Sequence, residues 1–124
     1  MTRRLDRETL RLLDRTREVE IVTVRPDGRH AQTTIWVVVD EDEAYIRSYR
    51  GSGALWYRDV VERPDIQLLA DGMRLRMRAV PATDDLSIAR CSSALERKYA
   101  GDPSTDAMVD EEILDTTLRL EPRR

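Results

Sequence analysis

The chain has 124 residues and a formal net charge of −3, with 40% hydrophobic and 36% charged residues. This composition is typical of a soluble globular protein, and we expect a single domain over residues 1–124. The negative charge argues against nucleic acid and anionic membranes as partners, and no apolar run approaches the length of a membrane span. The N-terminal residues lack the apolar core of a signal peptide, and the single cysteine, Cys91, cannot form an intramolecular disulfide. We therefore expect a cytoplasmic protein.

The first third of the chain predicts a short helix followed by an antiparallel strand pair. Asp6 is a typical helix N-cap, and a strand that begins at Val19 leads into a strong turn at residues 26–29. The returning strand, residues 30–40, becomes apolar on both faces at residues 35–39. Two apolar faces indicate a central strand, or one that contacts another subunit.

A third strand, a glycine turn and a helix come next. Residues 44–50 have the β-branched and aromatic content of a strand, and Gly51-Ser52-Gly53 interrupts it. Trp56 and Val60 then recur at helical spacing until Pro64 disfavours further helix. A basic strand end that leads into a glycine turn and a helix start can present guanidinium groups and backbone N–H groups to a phosphate.

The second half of the chain predicts a hairpin, two helices and a last strand. Asp71-Gly72 is a two-residue hairpin signal between residues 66–70 and 73–81, and the second run alternates apolar residues with arginines. Asp84 can cap a helix whose apolar face includes Cys91, and residues 116–122 form the last strand. These hairpin-length connections predict a mainly β fold, a six-stranded antiparallel barrel with short covering helices. We expect a mostly buried core of Ile35, Val37, Val39, Ile46, Leu68, Leu75, Met77 and Leu118.

Several kinds of chemistry lack the residues they need. His30 is the only histidine and lies beside a turn, far in sequence from Cys91, so no metal site is predicted. The chain has no nucleophile elbow, P-loop or dinucleotide-binding glycine motif. No catalytic residue is assigned, and Cys91 on the apolar face of a helix is interpreted as a core residue.

The candidate binding residues are cationic, hydroxylic and aromatic. Arginine forks together with serine and threonine hydroxyls suit a phosphate ester, and an antiparallel meander can bring two such groups to adjacent strands. Tryptophan and tyrosine rings could flank a planar ligand, although tryptophan is more often a core residue. The predicted cofactor-binding residues are Arg47, Ser48, Arg50, Ser52, Trp56, Tyr57, Thr33 and Thr34. Trp36 is a further stacking candidate.

These motifs resemble those of a known superfamily. The glycine turn followed by Trp56-Tyr57 and later by Pro64 and Ile66 resembles the split-barrel flavin and deazaflavin binders. These include the pyridoxamine 5′-phosphate oxidase-like proteins and the deazaflavin-dependent nitroreductases. The I-W-x-V, Y-x-R-S-x-R-G and T-L-R-L motifs most closely resemble the bacterial domain-of-unknown-function 2255 family. The resemblance spans residues 19–122 and implies an FMN-binding-like split barrel, a homodimer, and FMN or the deazaflavin coenzyme (F-420) as cofactor.

Two functions remain open after this comparison of motifs. The first is a flavin- or deazaflavin-dependent oxidoreductase that transfers a hydride to or from a small molecule. The second is a non-catalytic split barrel that binds a small molecule or is purely structural. The R-S-x-R-G and W-Y elements favour the first, whereas residues 28–34 lack the basic-loop residues of the deazaflavin-dependent relatives and favour the second. We prefer the first.

Overall fold

The computed structural model describes residues 4–123. Its helices are α1 (Arg7–Arg15), α2 (Leu55–Glu62), α3 (Asp85–Lys98) and α4 (Thr105–Met108), with 3₁₀ segments at Gly51–Gly53 and Glu111–Thr116. Its strands are β1 (Glu18–Val24), β2 (His30–Trp36), β3 (Val38–Asp40), β4 (Glu43–Ile46), β5 (Asp65–Ala70), β6 (Met73–Pro81) and β7 (Leu118–Pro122). None of these helices is long and apolar enough to cross a membrane.

The strands form one antiparallel sheet in the order β2-β1-β5-β6-β7-β4-β3. β2 and β3 lie at opposite edges of this sheet although only Val37 separates them along the chain. The sheet therefore curls, and the predicted antiparallel split barrel with short helices is confirmed. The described residues contain seven strands rather than the predicted six, because the strand predicted at residues 30–40 changes partner at Val37.

Local sequence signals account for much of this arrangement. Asp6 and Asp84 cap α1 and α3, each accepting a hydrogen bond from the backbone three residues on. Asp71 and Gly72 have φ values of 49° and 79°, the left-handed pair that a tight β5–β6 hairpin requires. Along β6 the predicted alternation is present, with Met77 buried and the arginines exposed.

The apolar residues form two clusters, one inside the barrel and one under α3. Of the predicted core residues, Val39 and Leu75 are only half-buried and the other six are buried. Ile35 and Val37 face the barrel interior, whereas Val38 lies in the cluster that contains Cys91 and Leu95. Both apolar faces of this strand are thus covered within one chain. Burial also raises the pKa of the Cys91 thiol to about 11, as expected of a core residue.

The strand predicted at residues 44–50 is shorter in the structure, because β4 ends at Ile46. The next two residues leave the β4–β7 ladder and bind side-chain hydroxyls instead. The Ser48 backbone N–H donates to Thr116 Oγ1 at 3.0 Å, and Arg47 Nε donates to Thr117 Oγ1 at 2.9 Å. Both Arg47 and Ser48 become buried beneath the segment that leads into β7.

Candidate functional site

A cavity of about 500 Å³ lies between β2, the turn after β4 and the segment that joins α3 to α4. Its wall combines hydroxyls, two arginines and two tryptophans, a composition suited to a small molecule with a planar ring and an anionic group. The lining residues are Glu18, Thr33, Thr34, Ile35, Trp36, Arg47, Tyr49, Arg50, Ala54, Trp56, Asp102, Ser104 and Met108.

Five of the eight predicted binding residues line this cavity. They are Thr33 and Thr34 from β2, Arg47 and Arg50 from the turn after β4, and Trp56 from α2. The edge strand β2 and the turn after β4 are brought together by the curl of the sheet. Their role in binding a ligand stays a prediction.

The other three predicted residues lie outside the cavity lining. Ser48 is buried, and its hydroxyl donates to the Gly51 carbonyl at 2.7 Å. Ser52 is exposed on the 3₁₀ turn. The Tyr57 hydroxyl donates to the Asp115 carbonyl at 3.4 Å. Ser48 and Tyr57 therefore have evident structural contacts.

Arg47 is the most deeply buried charged residue at the cavity, with 2% of its surface exposed. A guanidinium carries five N–H donors, and this one uses four of them within the chain. Nη1 donates to Ser92 Oγ and to the Met108 carbonyl, both at 3.0 Å, and Nη2 donates to the Ile88 carbonyl at 3.2 Å. Together with the Thr117 contact of Nε, these bonds tie the end of β4 to α3, α4 and the start of β7.

The charge of Arg47 is not neutralised by these contacts, since every acceptor is an uncharged hydroxyl or carbonyl oxygen. Burial lowers the pKa of the guanidinium, but arginine remains protonated in proteins. A buried cation without an anionic partner is costly. An anion bound in the adjoining cavity would reduce that cost.

The glycine turn shapes the wall beside Arg47. Gly51 has a φ of +75°, a conformation that strains any residue with a side chain, and it is buried against Ile113. The exposed Arg50 precedes it, and Ala54 occupies the N-cap of α2 without a side-chain cap. The first N–H groups of α2 therefore add positive potential at the cavity wall between Ala54 and Trp56.

The two tryptophans differ in their surroundings. Trp56 is 8% exposed, belongs to the barrel core, and meets Tyr57 edge to face with ring centroids 6.2 Å apart. Trp36 is half-buried, and its ring stacks on Tyr99 at 3.8 Å with an interplanar angle of 4°. Trp36 thus keeps part of its surface exposed, whereas most of the Trp56 side chain packs in the core.

Sequence reasoning missed the acidic and helical parts of the wall. Glu18 lies opposite Trp36 in the β1–β2 register, and Asp102 forms an ion pair with Arg17 at 2.5 Å. Asp102, Ser104 and Met108 follow α3, about fifty residues from the glycine turn. No local pattern in these residues marks them as neighbours of the turn.

The described residues contain no group of three or more histidine, cysteine, aspartate or glutamate side chains placed to hold a metal ion. His30 is exposed at the start of β2, and Cys91 is fully buried on α3.

Several solved structures share this fold. Conserved hypothetical protein Rv2991 from Mycobacterium tuberculosis has a TM-score of 0.70 at 15% identity, covering 98% of this chain and 83% of that chain. An F420 reductase has a TM-score of 0.59 at 19% identity, covering 92% of both chains. A candidate pyridoxamine 5′-phosphate oxidase from Listeria innocua has a TM-score of 0.67 at 13% identity, covering 94% and 92%. At these identities the likeness shows the fold alone.

Sequence comparison with curated proteins finds no match. A family profile, in contrast, matches residues 9–120, nearly the whole chain. The family is described as "Uncharacterized protein conserved in bacteria (DUF2255)". The resemblance inferred from the I-W-x-V, Y-x-R-S-x-R-G and T-L-R-L motifs is therefore confirmed, and the chain belongs to the DUF2255 family.

Proposed function

We propose that the cavity binds FMN or a deazaflavin coenzyme, and that the protein is an oxidoreductase acting on a small molecule. The observation that carries this proposal is the buried Arg47 guanidinium, which has only uncharged partners and lines a cavity with two tryptophans. A phosphate would give that charge an anionic partner, and the planar ring of a flavin matches the aromatic wall.

The cationic residues, the hydroxyls of β2 and the N-terminus of α2 each have a role in this proposal. Arg50 and the remaining donor of Arg47 bind the phosphate, and the hydroxyls of Thr33 and Thr34 hydrogen-bond the ligand between phosphate and ring. The N-terminus of α2 adds favourable potential for the anion. The bound cofactor supplies the hydride chemistry, so the chain needs to bind and orient it rather than to provide an acid–base pair.

Two of the structural neighbours have names that bear on this proposal. An F420 reductase and a candidate pyridoxamine 5′-phosphate oxidase share the fold over most of the chain. Both names refer to redox chemistry on the same kind of barrel. A fold hosts many functions, however, so the site residues carry the proposal.

One observation favours the non-catalytic alternative. The four internal hydrogen bonds of Arg47 give this residue a structural role that needs no ligand. In that case the cavity would accept a small molecule, or none, without redox chemistry.

Arg50 provides the cleaner test of the phosphate site, because it lines the cavity and is exposed, whereas Arg47 also holds the fold together. Arg50→Ala is expected to weaken binding of FMN or the deazaflavin coenzyme by about ten- to a hundredfold, the value of one charge-assisted contact. Arg50→Lys should recover part of this loss, since an ammonium cannot make a bidentate contact. Titration followed by cofactor fluorescence measures the affinities.

Arg76→Ala is the matched control for Arg50→Ala, because Arg76 is an exposed arginine on β6, away from the cavity. This control should bind as tightly as the wild type. Saturable binding with the same affinity in wild type and Arg50→Ala would place the phosphate elsewhere. No binding of either cofactor would favour the non-catalytic alternative.

We also propose that the protein is a homodimer. Its apolar strand at residues 35–39 is covered within one chain, so the support comes from exposed apolar residues near the cavity. Tyr49 is 57% exposed and lines the cavity, and Leu55 is 59% exposed at the start of α2.

Sedimentation equilibrium should give twice the chain mass, and Leu55→Asp should shift the equilibrium toward monomer. A monomer at every concentration would contradict the proposal.

A further inference from the structure

The two tryptophans that line the cavity differ in how deeply they are buried. Trp56 is almost fully buried in the barrel core, and Tyr57 already meets it edge to face. Trp36 lies at the end of the edge strand β2, where it is half-buried and forms part of the cavity wall. This difference separates a packing tryptophan from a binding one.

Tyr99 stacks on one face of Trp36, so a planar ligand in the cavity can stack only on the opposite face. The two rings are nearly parallel, with centroids 3.8 Å apart. The Arg17 guanidinium carbon lies 5.2 Å from the Tyr99 centroid and 5.8 Å from the Trp36 centroid. Because these two distances are similar, Arg17 sits beside the stack rather than over the outer face of Trp36.

The Trp36 ring is also held firmly in place. Tyr99 is 1% exposed, and its hydroxyl donates to the Arg17 carbonyl at 2.7 Å. The backbone N–H of Val37, the residue after Trp36, donates to the same hydroxyl at 3.3 Å. Lys98 Nζ donates to the Val37 carbonyl at 2.6 Å. The end of α3 therefore fixes both the backbone beside Trp36 and the ring behind it, so little side-chain freedom is lost when a ligand stacks there.

We propose that Trp36 is the residue on which the planar ring of the ligand stacks, and that Tyr99 is a positioning residue that holds the indole in place. The ligand class is then an aromatic molecule whose ring lies on Trp36 while its anionic group lies at Arg47 and Arg50. This assignment rests on the proposed function, and it moves the ring from Trp56 and Tyr57, where the sequence suggested it, to the end of β2.

The test measures the affinity of the full chain for FMN and for the deazaflavin coenzyme by equilibrium dialysis. Trp36→Leu is expected to weaken binding about tenfold, the effect of losing one aromatic stacking contact. Trp56→Phe is the comparison at the other tryptophan of the cavity, and it should weaken binding less than Trp36→Leu does because it keeps an aromatic ring in the core. Tyr99→Leu should weaken binding although Trp36 is intact, whereas Tyr99→Phe should keep most of the affinity because the backing ring remains.

The NMR signal of the indole N–H gives a second readout that a purely structural role would not produce. In Trp56→Phe the only tryptophan is Trp36, so one indole N–H resonance remains. We expect a saturable ring-current shift of this resonance on addition of cofactor, because a stacked aromatic ring lies directly over the indole. The measurement decides the question even if Trp36→Leu fails to fold.

The outcomes distinguish this assignment from the proposed function. Binding that depends on Arg50 but is unchanged in Trp36→Leu, with no shift of the Trp36 indole resonance in Trp56→Phe, would overturn only the assignment of the ring. Failure of the wild type to bind either cofactor would overturn the proposed function and the assignment together.

Discussion

Arg47→Ala is expected to lower the free energy of unfolding by about 3–5 kcal/mol. The substitution removes the donor to two buried carbonyls and two hydroxyls, and it leaves a void where β4, α3 and α4 meet. Each buried acceptor left without a donor costs about 1–3 kcal/mol, although the hydroxyls can find other partners. Urea denaturation followed by circular dichroism measures the loss.

Two further variants separate hydrogen bonding from charge in this prediction. Arg47→Lys keeps the charge but has only three donors. Its stability should therefore lie between those of the wild type and Arg47→Ala. Arg50→Ala, an exposed neighbour, should change stability by less than about 0.5 kcal/mol. An Arg47→Ala variant whose free energy of unfolding lies within about 1 kcal/mol of the wild-type value would contradict the structural role.

The second large effect is expected at Lys98, the only lysine of the chain. Its ammonium donates to the carbonyls of Leu13, Thr16 and Val37 at 2.9, 2.7 and 2.6 Å. It therefore joins the C-terminus of α1 to the point where β2 passes into β3. Lys98→Met should lower the free energy of unfolding by about 3 kcal/mol at neutral pH, roughly one for each carbonyl left without a donor.

The same contacts make a prediction about pH. Burial lowers the pKa of Lys98 to about 8, from 10.5 for a free lysine side chain. Between those values the unfolded chain binds more protons at Lys98 than the folded protein does, so the contribution of Lys98 to stability rises with pH across this window. The stability difference between wild type and Lys98→Met should therefore grow from pH 8 to pH 10.

Comparison with Lys98→Met is needed because tyrosines act in the opposite direction at high pH. Burial raises the pKa of Tyr45 and of Tyr99 to about 12. Both residues therefore favour unfolding as the pH rises above 10, the ordinary pKa of a tyrosine side chain. The Lys98 pKa can also be measured directly. Lysine labelled with ¹³C at Cε should give one NMR resonance that titrates near pH 8, and a midpoint near the free value of 10.5 would contradict the prediction.

The parts of the fold that were predictable depend on neighbours along the chain. The caps at Asp6 and Asp84, the Asp71-Gly72 hairpin and the alternation of β6 each follow from a few consecutive residues. The family motifs were equally local, and their order along the chain was enough to identify the split barrel. Thr33, Thr34, Arg47, Arg50 and Trp56 line one cavity, but not for the reason that suggested the grouping: β2 and β4 are not adjacent strands, and the curl of the sheet brings their residues together.

Contacts between distant residues decided the rest. The sequence by itself determined the antiparallel strands, the turns and the family, since propensity and periodicity act over a few residues. Only the tertiary structure decided that Arg47 is buried, because its acceptors lie 41 to 70 residues away. It also decided that Trp36 stacks on Tyr99, and that the strand through Val37 changes partner as the sheet curls. Burial of a charge and stacking of two distant rings are properties of the curled sheet and the helices that cover it, and no stretch of the chain specifies them alone.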